Sequence, residues 1–223
     1  MRVKIIMLLI LSFFITGHNA YGQSEAERNN IVERVKEKVK QLNDDISFIA
    51  NPQKEANVRY FYQKQAQKLF INNCDSYKEI VEYSDGYKQD SIRRDGVTMD
   101  VSSIRNGKES INTKPMKRYF NGLRNLGYDY VKIESTDIED MHVSTLRPYG
   151  KDENGNMLYV CSVYFEQRFI ARRREGRGYE DVTHKWAVCY VSKHEVVSET
   201  GSVKAEYMVR LGDIHVKSTK KLF

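Results

Sequence analysis

The chain has 223 residues, 40% of them hydrophobic and 30% charged, with 15 tyrosines, enough for one substantial core and not a disordered composition. The formal charge of +6 falls to +4 without Arg2 and Lys4. Both signs alternate along most of the chain, as on a solvated surface, so the positive balance is only weak evidence for an anionic partner.

The N-terminus reads in three parts. Arg2 and Lys4 are basic, Ile5 to Ile15 is apolar except for Ser12, and Thr16 to Gly22 turns small and polar. This is the export-signal pattern, with Ala20 and Gly22 placing the cleavage between Gly22 and Gln23. The apolar run is well short of the roughly 20 residues a spanning helix needs. The expectation is a signal peptide over 1–22 and a periplasmic or secreted mature chain. No transmembrane segment follows, and nucleic acid is not an expected partner.

Glu25 to Asp45 is predicted as an amphipathic helix, with Ile31, Val32, Val35, Val39 and Leu42 forming one stripe. It makes an N-terminal element over 23–50, ahead of a domain over 51–223. Asn51 and Pro52 predict the cap and first position of a second helix, running to about Asn73 and burying Val58, Phe61, Tyr62, Leu69 and Phe70. Turn signals follow at Ser84-Asp85-Gly86, Asp95-Gly96 and Asn106-Gly107. Short strands are predicted at Ile80 to Tyr83 and Val97 to Val101. Thr113 is the expected cap of a helix carrying Met116, Tyr119, Phe120, Leu123 and Leu126 and ended by Gly127.

From Tyr128 the period becomes two. Val131 and Ile133 mark one strand, Met141 and Val143 another, and Pro148 to Asn156 a loop. Met157 to about Ala171 is a long strand with Tyr159, Cys161, Val163, Phe165 and Phe169 on one face. Arg172 to Tyr179 reads as a basic hairpin loop. Val182 to Ser192 returns with Trp186, Val188 and Tyr190 central. The last strand carries Val203, Ala205, Tyr207, Val209 and Leu211, then shifts phase at Gly212 to Ile214 and Val216, a β-bulge signature that predicts sharp curvature. The fold class is α+β, with helices in the concave face of a strongly curved antiparallel sheet.

Several segments resemble exported NTF2-like (cystatin-like, SnoaL-like) proteins of Bacteroidetes-type bacteria. They are Lys117-Arg118-Tyr119-Phe120-Asn121-Gly122-Leu123, the strand Leu158 to Arg168, and the step Gly178-Tyr179-Glu180-Asp181. The resemblance spans roughly residues 55–218. It implies a cone-shaped α+β fold with a pocket between helices and sheet, and dimerisation through the sheet's outer face. It implies no activity, because that fold hosts isomerases, dehydratases, binding proteins and interaction modules.

No strong catalytic motif stands out. His142, His184, His194 and His215 lack metal-ligand spacing, Asp152 to Asn156 fits a calcium loop poorly, and Gly176-Arg177-Gly178 sits in a hairpin rather than between strand and helix. No metal or cofactor is expected. Three cysteines leave an odd thiol. Cys161 and Cys189 fall in neighbouring strands and read either as a disulfide or, preferably, as small buried hydrophobes, with Cys74 the third. The residues placed in the pocket are Tyr119, Phe120, Tyr159, Phe165 and Trp186. Tyr119, Tyr159 and Asp100 are nominal acid/base groups that core packing explains as well. Arg168, Arg172, Arg173, Arg174 and Arg177 form a basic cluster, read as an anion or partner contact or as a charged strand tip. The reading taken is a noncatalytic envelope module that binds a small ligand or a protein. A small isomerase or dehydratase is the alternative, and an envelope-assembly subunit pairing through the Glu25 to Asp45 helix is a third.

Overall fold

The computed structural model describes residues 24–82, 88–151, 155–174, 176, 178–197 and 201–222. The predicted export signal and its cleavage point lie outside the described residues, as do Ser84-Asp85-Gly86, most of the weak calcium-like loop, and Arg177. The chain divides into two units between Ile31 and Val32. Of the first, the described part is the opening of helix α1 (Glu25–Ala50). Ser24 and Glu27 form a capping box there: Glu27 N donates to Ser24 Oγ (3.1 Å) and Ser24 N to Glu27 Oε2 (3.0 Å).

The second unit is α+β. After α1 come helix α2 (Ala56–Gln67), a hairpin of β1 (Tyr77–Glu82) and β2 (Lys88–Arg93), then β3 (Thr98–Arg105), β4 (Lys108–Pro115) and helix α3 (Met116–Arg124). Short strands β5 (Tyr130–Ser135), β6 (His142–Val143) and β7 (Arg147–Lys151) precede three long ones, β8 (Met157–Arg172), β9 (Gly178–Val197) and β10 (Val203–Lys221). The main sheet has the order β4-β3-β10-β9-β8-β5, and β6 and β7 also pair with β8. Thus β5, β6 and β7 lie end to end along one edge of β8. That edge is therefore paired rather than left as an open template.

The expected antiparallel sheet is corrected to a mixed one, because β10 runs parallel to β3 with Ile214 opposite Met99. The Gly212 bulge is present: the β9–β10 register shifts between Leu211 and Ile214. A Cβ on Gly212 would stand 2.7 Å from the Tyr190 ring, so the break needs a residue without a side chain. The sheet is nevertheless not strongly curled. One bulge rephases a strand, whereas a tight cone needs kinks repeated across several strands.

Helix α1 runs five residues past the expected Asp45, because Ile46 and Ile49 continue the stripe of Val35, Val39 and Leu42; all five are buried. Arg34 Nη1 donates to the Tyr207 carbonyl (3.0 Å), tying the helix to β10. Asn43 and Asp45 are buried beside the stripe. Burial first, then the neighbouring Asp44 charge, pushes the Asp45 carboxyl up to about 6, and its Oδ2 has no hydrogen-bond partner among the described residues. The folded state therefore holds this proton more tightly than the unfolded state between roughly pH 4 and 6, and stability falls as pH rises through that window. Asp45→Asn is expected to stabilise the fold by about 1–2 kcal/mol at neutral pH and by almost nothing at about pH 4. Urea midpoints at the two pH values check it.

The second helix is shorter than expected. It begins after Glu55, and Asn51 instead caps a turn by accepting from Gln53 N (2.9 Å). Phe61 is exposed, while Val58 and Tyr62 are half-buried and Leu69 and Phe70 are buried. Phe70 bridges to Leu211 and meets Phe120 edge-on (6.2 Å between centroids). After it, Asn72, Asn73 and Cys74 are successive left-handed residues (φ 44°, 51° and 65°), a strained turn that reverses the chain into β1. Thr113 does not cap α3. It sits in β4 with Oγ1 donating to Asp100 Oδ1 (2.6 Å), and Pro115 takes the N-cap position. Strands β2, β4 and β7 were not expected; β7 replaces part of the predicted loop from Pro148, and the Asn106-Gly107 signal is the β3–β4 turn.

Candidate functional site

The face of the sheet carrying the core is set by alternation. On β8 the buried residues are Tyr159, Cys161, Val163, Phe165, Gln167 and Ala171. Their partners on β9 include Lys185 opposite Phe165, Thr183 opposite Gln167, and Cys189 opposite Cys161. The inward series of β9 is therefore Asp181, Thr183, Lys185, Ala187, Cys189 and Val191, all buried. Trp186, Val188 and Tyr190 belong to the other face, which corrects the expectation that they are central. Half of this inward series is apolar core. The other half, Asp181, Thr183 and Lys185, is a polar floor with two charged groups.

Above that floor lies a cavity of about 480 Å³, within the range of small-molecule sites. Its apolar walls come from the β3–β4 hairpin (Val101, Ile104), from α3 and the chain after it (Tyr119, Leu123, Leu126, Tyr128), and from Ile133 and Phe169. Ser102, Ser103, Gln167 and Thr183 are polar points, and Lys114, Lys185, Lys221 and Asp181 supply charge.

Lys185 is 8% exposed. Its Nζ donates to Gln167 Oε1 (2.6 Å), and Gln167 Nε2 donates to Asn43 Oδ1 on α1 (2.7 Å), so an amide relay fixes the ammonium. No described carboxylate forms a salt bridge with it within 4.0 Å. Burial pushes its pKa down to about 8, against the opposing pull of Asp181 and then Asp100. Asp181, 5% exposed, accepts from Tyr179 Oη (2.7 Å). Burial raises its pKa, and the Tyr179 hydroxyl, Lys185 and Thr183 work in the opposite direction. Burial and the Asp181 carboxylate raise the Tyr179 phenol, and burial alone raises Tyr119. Both phenols are thus donors at neutral pH.

The expected site residues separate. Tyr119 lines the cavity. Phe120, Tyr159 and Phe165 are buried core. Trp186 lies on the opposite face, stacked on His215 at 4.2 Å. Asp100 accepts from Thr113 and stands 3.2 Å from His215 Nδ1. The basic cluster is committed to neighbours: Arg168 pairs with Glu180 and Glu134, Arg174 with Asp129 (3.2 Å), and Arg172 and Arg173 cover the Tyr130 and Tyr128 rings. Arg177, the fifth member of the cluster, lies outside the described residues. Cys161 and Cys189 face each other as buried free thiols, and Cys74 is a third. Among the described residues no His, Cys, Asp and Glu cluster is built to hold a metal. Val196, Val197 and Val203 are exposed, with Val197 paired opposite Val203 in the β9–β10 ladder.

Sequence reasoning missed Lys185, Gln167 and Asn43. The available signal was parity: placing Cys189 inward opposite Cys161 carries Lys185, Thr183 and Asp181 inward with it.

Fold and site together define an α+β protein with an apolar-walled cavity lined by three lysines and one carboxylate. The chain matches no family model, no curated protein and no solved structure. No helix among the described residues is long and apolar enough to cross a membrane.

Proposed function

We propose that this chain is an exported NTF2-like pocket protein that binds a small organic anion with an apolar body. Lys185 carries the proposal. A buried ammonium with one neutral acceptor and no carboxylate within 4 Å is costly, and an anionic ligand beside it supplies the missing counter-charge. Lys114 and Lys221 add to the positive field, so the cavity lining holds three lysines and one carboxylate. The apolar walls accommodate the rest of the ligand.

The charged and titratable groups facing Lys185 are Asp181 on its own strand, Asp100 on β3, Lys114 on β4, Lys221 on β10, and the phenols Tyr119 and Tyr179. Below about 8 the Lys185 amine is charged; above it the charge is lost. Phenylpropionate is therefore expected to bind roughly tenfold more weakly at about pH 9.5 than at about pH 6.5. Its neutral amide should bind weakly at both. Titration calorimetry measures this, and equal affinity for acid and amide would contradict the reading.

A second reading has one observation in its favour. Asp181, with a raised pKa and a hydrogen bond from Tyr179, is a pocket-facing carboxylate suited to proton transfer, as an isomerase or dehydratase requires. Turnover of a substrate that disappears in Asp181→Asn, with binding retained, would establish it.

A further inference from the structure

Lys185 combines features that anion binding alone does not require. It is the innermost of the three cavity lysines by exposure, since Lys114 is half-buried and Lys221 exposed. Its Nζ is held by one neutral acceptor, Gln167 Oε1, which is itself locked by Asn43. Asp181 sits on the same strand face four residues away, a Cα separation of about 13 Å. Thr183 lies between them, and all three side chains line the same cavity.

We propose that Lys185 reversibly captures the carbonyl of a small oxo-acid, forming an imine in the cavity. The inference rests on the anion-binding reading, and it names the ligand class: an aldehyde or ketone carbonyl adjacent to a carboxylate, on an apolar body. In the step, the neutral amine's lone pair forms the N–C bond and the C=O π pair moves onto oxygen. A proton passes from nitrogen to that oxygen, giving a carbinolamine. The hydroxyl then leaves as water while nitrogen loses its second hydrogen and the C=N bond forms. The Asp181 carboxylate relays the protons, taking each from nitrogen and passing it to oxygen, and ends as it began. No electrons are gained or lost, so no oxidant or reductant is needed, and added water reverses the capture.

Two properties of the site favour this chemistry. Burial holds the amine at about 8, so about a tenth of it is the neutral nucleophile at neutral pH, far more than for an exposed lysine. Burial also raises Asp181, which makes it a better proton carrier than an exposed carboxylate. Lys114 and Lys221 remain to hold the carboxylate while Lys185 takes the carbonyl.

The test uses the full chain with phenylpyruvate and sodium cyanoborohydride, read by intact mass and by peptide mapping. The expected product is one adduct per chain, heavier by the acid less one oxygen, mapped to the peptide holding Lys185 and lost in Lys185→Arg. Phenyllactate, which lacks the carbonyl, reports the anion site separately by calorimetry. If phenyllactate binds and no Lys185 adduct forms, the imine is overturned and anion binding stands. If neither ligand engages the cavity, both fall. Adducts scattered over exposed lysines at equal yield also overturn the capture.

Discussion

Replacing Lys185 by methionine is expected to raise the stability of this protein and abolish its ligand binding. The displacement of the amine from 10.5 to about 8 corresponds to a penalty of about 3 kcal/mol for holding the charge in the folded state at neutral pH. Methionine fills nearly the same volume without charge. It also leaves Gln167 Oε1 without its donor, which costs about 1–2 kcal/mol. The net expectation is a gain of about 1–2 kcal/mol, or roughly 2–8 °C in Tm. The pH dependence has a definite sign. Between about 8 and 10.5 the unfolded chain binds this proton more tightly than the folded one, so wild-type stability rises with pH through that window. The methionine variant lacks that rise, and its advantage shrinks accordingly. Thermal denaturation at about pH 7 and about pH 10 reads both effects. Such an exchange of stability for binding is characteristic of functional sites; a purely structural lysine would instead leave the variant less stable and affinity unchanged.

Arg59→Met is expected to act in the opposite direction. The Arg59 guanidinium donates through Nε to the Ile49 carbonyl (2.8 Å), at the end of α1, and through Nη2 to the carbonyls of Leu123 and Arg124, at the end of α3. Helix C-termini leave carbonyls without intrahelical donors and carry negative partial charge. One cation on α2 thus caps both of its neighbours. Its removal leaves part-buried acceptors unmatched, and the expected loss is about 2–4 kcal/mol, or roughly 4–16 °C in Tm. Since α3 supplies Tyr119 and Leu123 to the cavity, affinity should fall as well. Arg59→Lys should recover only part of the stability, because an ammonium cannot fork between two helices. An Arg59→Met variant with unchanged Tm would show that the three helices are held by their apolar contacts alone.

Much of the secondary structure was legible because it follows strict periods. The α1 stripe, the inward face of β8 and the phase change at Gly212 each repeat at a spacing that only one element satisfies. The Tyr179-Glu180-Asp181 step, singled out by resemblance, contributes two cavity groups. Elements β2, β4 and β7 escaped because their residues are largely exposed or polar and lack alternation, so only pairing with a neighbour defines them. Thr113 was misassigned for a related reason. A threonine before a proline reads as a helix cap, but its hydroxyl finds Asp100 across the β3–β4 pair instead. The cavity floor was hidden by a rule of size. Trp186 and Tyr190 look central because they are large, yet the inward series of β9 runs Asp181, Thr183, Lys185, Ala187, Cys189 and Val191, and its first three members are polar. Burying polar groups there violates the usual pattern, and such violations concentrate where a protein meets its ligand.

A chemical-shift titration of the labelled protein with phenylpropionate reads whether the cavity over β9 receives a small organic anion. Saturable shifts are expected, confined to the amides of Ser102, Ser103, Gly122, Leu123, Thr183 and Lys185 and absent with the neutral amide. Shifts on the opposite face, at Tyr164 and Trp186, or none at all, would contradict such binding.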